Sequence, residues 1–320
     1  MLIAGGCTRP GCEDVGAGAR AERFDPARER FRATGRLGVP RVSHTATRLA
    51  GGRVLIAGGY PGEGSAPLRS AELYDAGAGR FSPTAGAPAS RRAGHAAVRL
   101  RDGRVLLIGG IDGTRPLRTC ELFDPRRGAF RRTGSLGVPR SIPAAALLPD
   151  GRVLVTGGSR DGERAPSGAE VYDPRTGRWS PTGSMRLARM KHAALTLAGG
   201  KVLVVGGSPS DDFDDRLDGA ETYDPAAGRF RSAAPMHAAR FKLPDAVAAS
   251  RGAAVVAGGA GGVEVFDAGR RGFARAPGPD LAGFLFTAAA ALRDGRVLIT
   301  GGYDDDIDVH AEAYLYRPRG

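Results

Sequence analysis

The sequence has few cysteines and no long hydrophobic run. Its three cysteines are Cys7 and Cys12, which share a glycine- and proline-containing segment, and Cys120, which stands alone. The spacing of the first two is compatible with a disulfide in an oxidising compartment and also with two free thiols, whereas a metal site here would lack its other ligands. No run of 18 apolar residues occurs, so we expect no helix that spans a membrane.

The sequence also has few lysines. Its basic residues are arginines apart from Lys191, Lys201 and Lys242, and the formal net charge is +12. Such a charge favours a nucleic-acid partner where the cations cluster with interleaved aromatic side chains, and no such run is present. The arginines are instead spread over the whole chain. We therefore predict that the protein does not bind nucleic acid.

Glycine, in contrast, is abundant, with 50 residues, and 22 prolines accompany it. This composition is typical of many tight turns between short strands. An apolar run that closes in two glycines occurs seven times, with 43 to 53 positions between successive pairs, which indicates a repeat protein. The pairs are Gly5-Gly6, Gly58-Gly59, Gly109-Gly110, Gly157-Gly158, Gly206-Gly207, Gly258-Gly259 and Gly301-Gly302. The apolar runs, such as residues 202–205, predict strands that are buried on both faces.

A second apolar stretch precedes six of these strands, and a glycine-containing pair joins the two. The pairs are Gly51-Gly52, Asp102-Gly103, Asp150-Gly151, Gly199-Gly200, Arg251-Gly252 and Asp294-Gly295. Asp-Gly and Gly-Gly between apolar runs predict two-residue type I′ turns, which need a positive φ at both central positions. Each of these repeats therefore begins with an inner hairpin.

An outer hairpin is predicted downstream of the first six diglycines. The pattern Glu-x-Tyr/Phe-Asp recurs there, and a second aromatic residue follows the first by seven positions. The aromatic pairs are Phe24/Phe31, Tyr74/Phe81, Phe123/Phe130, Tyr172/Trp179, Tyr223/Phe230 and Phe266/Phe273. We expect the two rings on opposite arms of each hairpin, because segments such as Asp173 to Gly177 have the residues of a tight turn. The repeated Glu is expected to be structural, since a catalytic group would not be needed six times.

These motifs resemble the Kelch repeat, whose blade has a diglycine after its second strand, then a Tyr, then a Trp after a fixed gap. The resemblance covers essentially the whole chain, although Phe replaces Trp in five of six repeats and Leu315 stands where the seventh would have Asp. It implies an all-β Kelch-type β-propeller, which we expect to occupy residues 1–320 as a single domain. We predict seven blades, with three strands in the first and last and four in the others. The alternative is a six-bladed ring of residues 31–320.

The two incomplete blades lead us to expect that the natural chain begins upstream of Met1. Residues 2–6 repeat residues 55–59, and Met1 stands where that repeat has Val54, as a GTG valine codon read as a start would produce. The upstream segment would supply the two absent strands. It would also have room for an export signal to the periplasm or the extracellular space, and the compartment is otherwise open.

We expect function on the face that carries the loops between second and third strands and the connections between blades, because loops vary while a scaffold holds them. Four connections have an arginine at an equivalent position: Arg41, Arg92, Arg140 and Arg189. These side chains could form a cationic collar for an anionic ligand, or each could be a local hydrogen-bond donor between blades. Repeats six and seven have Phe241 and Phe284 at this position, with Arg240 one residue out of register.

Two acidic loops are candidate sites for a hard cation such as calcium, which takes six to eight oxygen ligands. The candidate ligands are Asp211, Asp212 and Asp214 in one loop and Asp304, Asp305 and Asp306 in the other. Neither loop matches a defined calcium motif, so solvated polar loops are the alternative. We expect no resident cofactor.

The function we expect is a non-catalytic binding or scaffold role, in which a monomer contacts a protein or glycan through its loop face. The alternative is a sugar-processing enzyme such as a sialic acid mutarotase, since some Kelch-like propellers have that activity and an arginine with a carboxylate can serve acid–base chemistry. A copper radical oxidase is disfavoured. Its Tyr-His dipeptide is absent, and His44, His95 and His192 fall at repeat-equivalent positions.

Overall fold

The computed structural model of the chain describes residues 1–7, 17–210, 212, 215–243, 246–248, 253–277, 284–304, 306 and 308–318. The regular elements in these ranges are β-strands and two short 3-10 turns, Ala17–Ala19 and Ala50–Gly52. No described helix has the length and apolar character of a membrane span. The chain divides into two compact units, Met1–Ile142 with Pro174–Trp179 and Pro143–Asp173 with Ser180–Gly320. The single domain over residues 1–320 therefore stays a prediction.

The first unit contains three antiparallel sheets. The first sheet has β1 (Leu2–Ala4), β2 (Ala21–Asp25) and β3 (Arg30–Ala33). The second sheet has β4 (Thr45–Arg48), β5 (Val54–Ala57), β6 (Ala71–Asp75) and β7 (Arg80–Pro83). The third sheet has β8 (Ala96–Arg99), β9 (Val105–Ile108), β10 (Cys120–Asp124) and β11 (Ala129–Arg132).

Four further antiparallel sheets follow along the chain. The fourth sheet has β12 (Ala144–Leu147), β13 (Val153–Thr156), β14 (Ala169–Asp173) and β15 (Arg178–Pro181). The fifth sheet has β16 (Ala193–Thr196), β17 (Val202–Val205), β18 (Ala220–Asp224) and β19 (Arg229–Ser232). The sixth sheet has β20 (Ala246–Ala248), β21 (Ala253–Ala257), β22 (Val263–Asp267) and β23 (Gly272–Ala276). The seventh sheet has β24 (Ala288–Ala291), β25 (Val297–Thr300) and β26 (Ala313–Tyr316).

These sheets are the seven blades of an all-β propeller. The predicted distribution of strands, three in the first and last blades and four in the five between them, is confirmed in the described residues. The six-bladed alternative is wrong, because β3, which contains Phe31, pairs with β2, and β2 pairs with β1, in a sheet of their own.

The second strand of a blade is buried on both faces, as its apolar sequence predicts. In β17 every residue is buried. Leu203 and Val205 pack with Val256 of β21, whereas Val202 and Val204 belong to a separate cluster with Leu154 of β13. Because alternate side chains of a strand point to opposite faces, one short strand contributes to the core on each of its sides.

The inner hairpin turns that the structure describes enclose three residues rather than the predicted two, although Gly51 and Gly52 of the second sheet both have the predicted positive φ, of +68° and +78°. In the third sheet, the Leu100 N–H donates to the carbonyl of Arg104, and the Gly103 N–H donates back to the Leu100 carbonyl. Among the turn residues only Gly103 has a positive φ, of +89°. The loop therefore has three residues and ends in a left-handed glycine, while the Asp102 carboxylate accepts the Arg104 N–H at 3.0 Å.

The outer hairpins place their aromatic pairs directly opposite each other, as predicted. Tyr74 of β6 is the cross-strand partner of Phe81 of β7, and their ring centres are 4.7 Å apart at a tilted angle. Phe266 and Phe273 repeat this arrangement in the sixth sheet, at 5.0 Å. Such cross-strand aromatic pairs stabilise a sheet beyond the area that they bury.

Candidate functional site: the loop face and its cationic groups

One end of each blade carries the connection that enters its first strand and the loop that leaves its second strand. Reciprocal backbone hydrogen bonds hold the two segments together. Val42 and Tyr60 exchange such bonds at 2.9 and 2.8 Å in the second blade, and Leu285 and Tyr303 do so at 2.7 and 3.0 Å in the seventh. The residue after the diglycine therefore lies beside the residue after the arginine position. This end is the loop face on which we expect function.

The four candidate arginines are buried at this end of the blades. Arg41, Arg92 and Arg189 have no exposed surface, and Arg140 is 2% exposed. The ion pairs that join Nη2 to a glutamate Oε1 are Arg41–Glu72 at 3.0 Å, Arg92–Glu121 at 2.6 Å and Arg189–Glu221 at 3.0 Å. These positions do not support the predicted anion-binding collar, and they favour the alternative of local hydrogen bonding. That alternative placed each hydrogen bond between two blades, whereas each observed ion pair joins the connection to the blade that it enters.

The glutamate of each pair is the repeated Glu of the outer hairpin. In the second blade, the Glu72 carboxylate accepts the N–H groups of Gly38 and Val39 at 2.7 and 3.4 Å, in addition to the Arg41 guanidinium. Arg41 Nη1 donates to the carbonyl of Gly58, the first residue of the diglycine, at 2.9 Å. One ion pair therefore ties the connection, the third strand and the diglycine together, which explains why the Glu recurs.

The sixth blade contains the same pair, formed by Arg240. Its Nη2 lies 3.1 Å from Oε1 of Glu264, and its Nη1 donates to the Gly258 carbonyl at 2.7 Å. One additional residue between Arg240 and the diglycine explains its apparent shift of register in the sequence. In the seventh blade Phe284 takes the arginine position, and its ring stacks on His310 at 4.2 Å.

Burial and pairing have opposite effects on the charges of these groups. Burial lowers the pKa of the Arg41, Arg189 and Arg240 guanidinium groups, and their glutamate partners oppose the shift. Burial would raise the pKa of Glu264, but hydrogen bonds from His237 and Arg240 hold it below its ordinary value. Each pair is therefore stable only as a pair, because either member alone would be an unpaired buried charge.

The acidic loops are only partly described. Asp211, Asp214 and Asp305 lie outside the described residues. The Asp304 carboxylate accepts the N–H groups of Asp306 and Asp308, at 3.1 and 2.9 Å. Asp212 donates its own N–H to Ser210 Oγ at 3.1 Å. The residues that the structure describes contain no group of three or more His, Cys, Asp or Glu side chains that could hold a metal ion, so the cation site stays a prediction.

The cysteines are described in part. Cys7 is disulfide-bonded, whereas Cys12, the partner considered for it, lies outside the described residues. Cys120 is a buried free thiol. Burial raises the pKa of Cys120 to about 11, so its thiolate is scarce at neutral pH and the side chain is unreactive.

A group of cationic and aromatic side chains lies at the loop face of the fifth to seventh blades. We call it the lysine–aromatic cluster, and its members are Lys191, Phe241, Lys242, Phe286 and Tyr303. The ammonium groups of Lys191 and Lys242 lie 4.8 and 5.6 Å from the centre of the Phe241 ring. Lys242 Nζ also lies 5.0 Å from the centre of the Tyr303 ring and donates to its hydroxyl at 2.9 Å. The Phe286 and Tyr303 ring centres are 5.8 Å apart.

The repeat brings these residues together. Lys191, Lys242 and Phe286 each stand two residues after the arginine position, with left-handed φ values of +52°, +54° and +53°. The Phe286 N–H donates to the Lys242 carbonyl at 3.0 Å, and the Leu243 N–H donates to the Lys191 carbonyl at 3.0 Å. Equivalent residues of successive blades are therefore neighbours, held in a backbone conformation that costs roughly 1–2 kcal/mol outside glycine.

The sequence contains a signal for part of this cluster. Lysine occurs three times in the chain, and two of these residues are Lys191 and Lys242. Aligning the repeats on Arg189 and Arg240, rather than on the hairpin glycines, puts both lysines at one repeat position. The aromatic partners could not be identified in this way, because Tyr303 belongs to a different segment of the repeat.

Comparison with protein families identifies the repeat. The Kelch motif model matches residues 91–137 and 142–186, which are two consecutive repeats. The chain is a seven-bladed β-propeller that contains Kelch motifs. No curated protein shows significant sequence similarity to it. The first matched segment contains both Arg92 and Glu121, so one of the buried ion pairs lies within a Kelch motif of this propeller.

Proposed function

We propose that this Kelch propeller is a non-catalytic binding or scaffold module whose loop face contacts a protein or glycan, with the lysine–aromatic cluster in the contact surface. The observation that carries the proposal is the exposure of Phe286, which is 37% exposed with the Lys242 ammonium 5.7 Å from its ring centre. When a partner covers an exposed aromatic ring, apolar surface is removed from water and the free energy of the complex is lowered. Aromatic side chains are also enriched among the residues that anchor interfaces.

The burial of the arginine–glutamate pairs supports binding over the sugar-processing alternative. Acid–base catalysis needs a titratable group within hydrogen-bond reach of a substrate. The Arg92 and Glu121 side chains are 0% and 1% exposed and bond each other. They are therefore enclosed by the blade, whereas the lysine–aromatic cluster offers an exposed ring beside ammonium groups, which suits recognition.

The test is a glycan array together with a pull-down, using the wild-type chain and Phe286→Ala. We expect at least one wild-type ligand whose signal is lost in the variant, while the melting temperature stays within about 2 °C because the ring is exposed. Arg270→Ala is the matched control, since Arg270 is exposed in the β22–β23 turn at the opposite end of the sixth blade. Ligands that Phe286→Ala retains, or catalytic turnover of a bound sugar, would contradict the proposal.

A further inference from the structure

A cavity of about 220 Å³ lies between the fifth and sixth blades, at the end opposite the loop face, where the β16–β17 and β22–β23 hairpins turn. We call it the interblade cavity, and the residues that line it include Leu197, Lys201, Thr222, Phe266, Ala268 and Arg271. We propose that it binds a small phenol, with the hydroxyl group of the ligand at Thr222 and its aromatic ring beside Phe266. This site is separate from the loop face, so the contact proposed there does not depend on it.

The polar group inside the cavity is the Thr222 hydroxyl. Thr222 stands at the centre of β18 and is 7% exposed. Its hydroxyl makes no hydrogen bond with any residue that the structure describes. A nearly buried hydroxyl group without a partner is unfavourable, so a ligand that exchanges a hydrogen bond with it gains affinity. The equivalent residues of four other third strands are aliphatic: Leu73, Leu122, Val171 and Val265.

A lysine also replaces an arginine of the repeat at this junction. In the second blade, Arg53 Nη2 donates to the Pro125 carbonyl of the third blade at 3.4 Å. Lys201 has the equivalent position in the fifth blade, where its ammonium lies 3.7 Å from the Asp224 carboxylate of the same blade. Within the described ranges it makes no bond to the sixth blade. The space that an arginine crosses in the second blade is therefore open here.

The size of the cavity limits the ligand to one ring. An apolar cavity of about 150 Å³ is large enough for benzene. The interblade cavity, at about 220 Å³, therefore accommodates one six-membered ring with one or two small substituents. Larger ligands, such as an oligosaccharide, would extend into solvent.

The walls of the cavity favour an aromatic ring. Leu197 and Phe266 are buried, and Phe266 packs against Phe273 at a tilted angle with ring centres 5.0 Å apart. Aromatic rings in tilted or offset contact stabilise each other beyond the area that they bury. At the exposed rim, Arg271 Nη2 donates to the Ser232 carbonyl at 2.9 Å, which holds the guanidinium in place. A guanidinium can stack on the face of a bound ring.

The experiment is calorimetric titration of the purified chain with p-cresol, toluene and 4-methylcyclohexanol. Toluene lacks the hydroxyl group, and 4-methylcyclohexanol lacks the aromatic ring. We expect p-cresol to bind with a dissociation constant on the order of 1 mM, about fivefold more tightly than either analogue. Thr222→Val keeps the shape of the side chain and removes its hydroxyl. It should weaken binding of p-cresol about fivefold and leave binding of toluene unchanged.

A second pair of variants locates the site. Ala268→Leu places a larger side chain in the turn that borders the cavity and should weaken binding of p-cresol at least about tenfold. Ala76→Leu makes the same change at the equivalent turn position of the second blade, and it should leave the affinity within about twofold. Neither position lies within a strand, so both variants should fold.

Each other outcome overturns the inference. No binding of p-cresol at about 10 mM would mean that the cavity takes no phenol. An unchanged affinity in Thr222→Val would mean that its hydroxyl is not recognised, and equal binding of 4-methylcyclohexanol would mean that the aromatic ring is not. Equal weakening by Ala268→Leu and Ala76→Leu would place the ligand elsewhere. Tighter binding of N-acetyl-tyrosinamide than of p-cresol would assign the cavity to a tyrosine of a partner protein. If Ala268→Leu fails to fold, Thr222→Val still decides, because other blades have valine at this position.

Discussion

At the residue scale, the same buried arginine–glutamate ion pair recurs in several blades. A buried ion pair is often no more stabilising than an apolar pair of the same size, because both charges lose their hydration. Here each member also bonds the backbone, as Arg92 does with the Gly109 carbonyl at 2.6 Å and Glu121 with the Ala89 N–H at 2.6 Å. The pair therefore satisfies polar groups at a point where the chain changes direction and regular sheet bonding stops.

The pair in the third blade gives a test of this role. Arg92→Met should lower the free energy of unfolding by about 3–5 kcal/mol, because it leaves Glu121 as a buried charge without its cation. Adding Glu121→Gln should recover part of that loss, since the amide oxygen can still accept a backbone N–H. Urea denaturation of both single variants and the double variant measures the coupling. Purely additive losses would show that the two side chains act independently.

His44, one of the repeat-equivalent histidines, makes stability depend on pH. His44 is half-buried with its Nδ1 enclosed, and burial, followed by the charge of Arg41, lowers its pKa to about 4. An unfolded chain takes up this proton near pH 6.5. The stabilisation is therefore complete above about pH 6.5 and is lost as the pH falls toward 4, by up to about 3 kcal/mol. We expect the melting temperature of His44→Gln to fall less steeply than that of the wild type over this range. Parallel curves would contradict this.

At the element scale, glycines with the same backbone angle have different roles. Gly103 in the β8–β9 hairpin and Gly59 of a diglycine both have φ of +89°. A Cβ on Gly103 would meet no atom within 4 Å, whereas one on Gly59 would lie 2.5 Å from the Val42 carbonyl oxygen. The hairpin glycine is therefore needed for its backbone conformation alone. The diglycine is needed also for the close approach of the connection.

This difference predicts the rank of two alanine substitutions. Gly103→Ala should lower the free energy of unfolding by about 1–2 kcal/mol, the penalty of a left-handed alanine. Gly59→Ala should lower it by at least about twice as much, because the same penalty is joined by a steric clash with rigid backbone. Both changes are measured by urea denaturation against the wild type. Equal losses would show that backbone conformation explains both positions.

The elements could be predicted from the sequence because their signals are local. An apolar run such as residues 202–205 beside a diglycine identifies a buried strand, and an aromatic pair such as Tyr74 and Phe81 identifies an outer hairpin. The type of the inner turn was missed. The loop length depends on which backbone groups close the hairpin, Leu100 N–H to the Arg104 carbonyl in one blade and Leu197 N–H to the Lys201 carbonyl in another. The Asp-Gly and Gly-Gly pairs inside these loops do not by themselves specify that closure.

At the scale of the whole molecule, repetition made the fold predictable and long-range contacts made the site unpredictable. Seven blades follow from a motif that recurs in register along the chain. The partners Arg41 and Glu72 lie 31 positions apart and Lys242 and Tyr303 lie 61 positions apart. Such pairs are recognisable only when the segments of each repeat are placed at one end of a blade, so sequence position alone does not reveal that a glutamate neutralises Arg41.

The net charge also has a structural explanation at this scale. In each of the first six sheets the last strand is an edge strand, because it stands at one end of the strand order. Each of these edge strands carries at least one exposed arginine. These residues are Arg30, Arg32, Arg80, Arg131, Arg132, Arg178, Arg229, Arg231 and Arg275. Charged side chains on edge strands oppose pairing with the edge of another molecule. These nine arginines therefore lie where their charge opposes edge-to-edge pairing of different molecules.

This distribution predicts that the location of an arginine affects aggregation more than the net charge of the protein does. Arg229→Gln with Arg231→Gln removes two charges from the edge strand β19, and Arg126→Gln with Arg127→Gln removes two from the exposed turn between β10 and β11. Both double variants have the same net charge, so repulsion between whole molecules is equal. We expect the β19 variant to aggregate faster by light scattering at a temperature below unfolding, while the turn variant and the wild type keep an unchanged elution volume in size-exclusion chromatography. The melting temperatures should agree within about 2 °C, because exposed arginines contribute little to stability. Equal aggregation of the two variants would mean that net charge alone keeps the molecules apart and that the edge arginines have no special role.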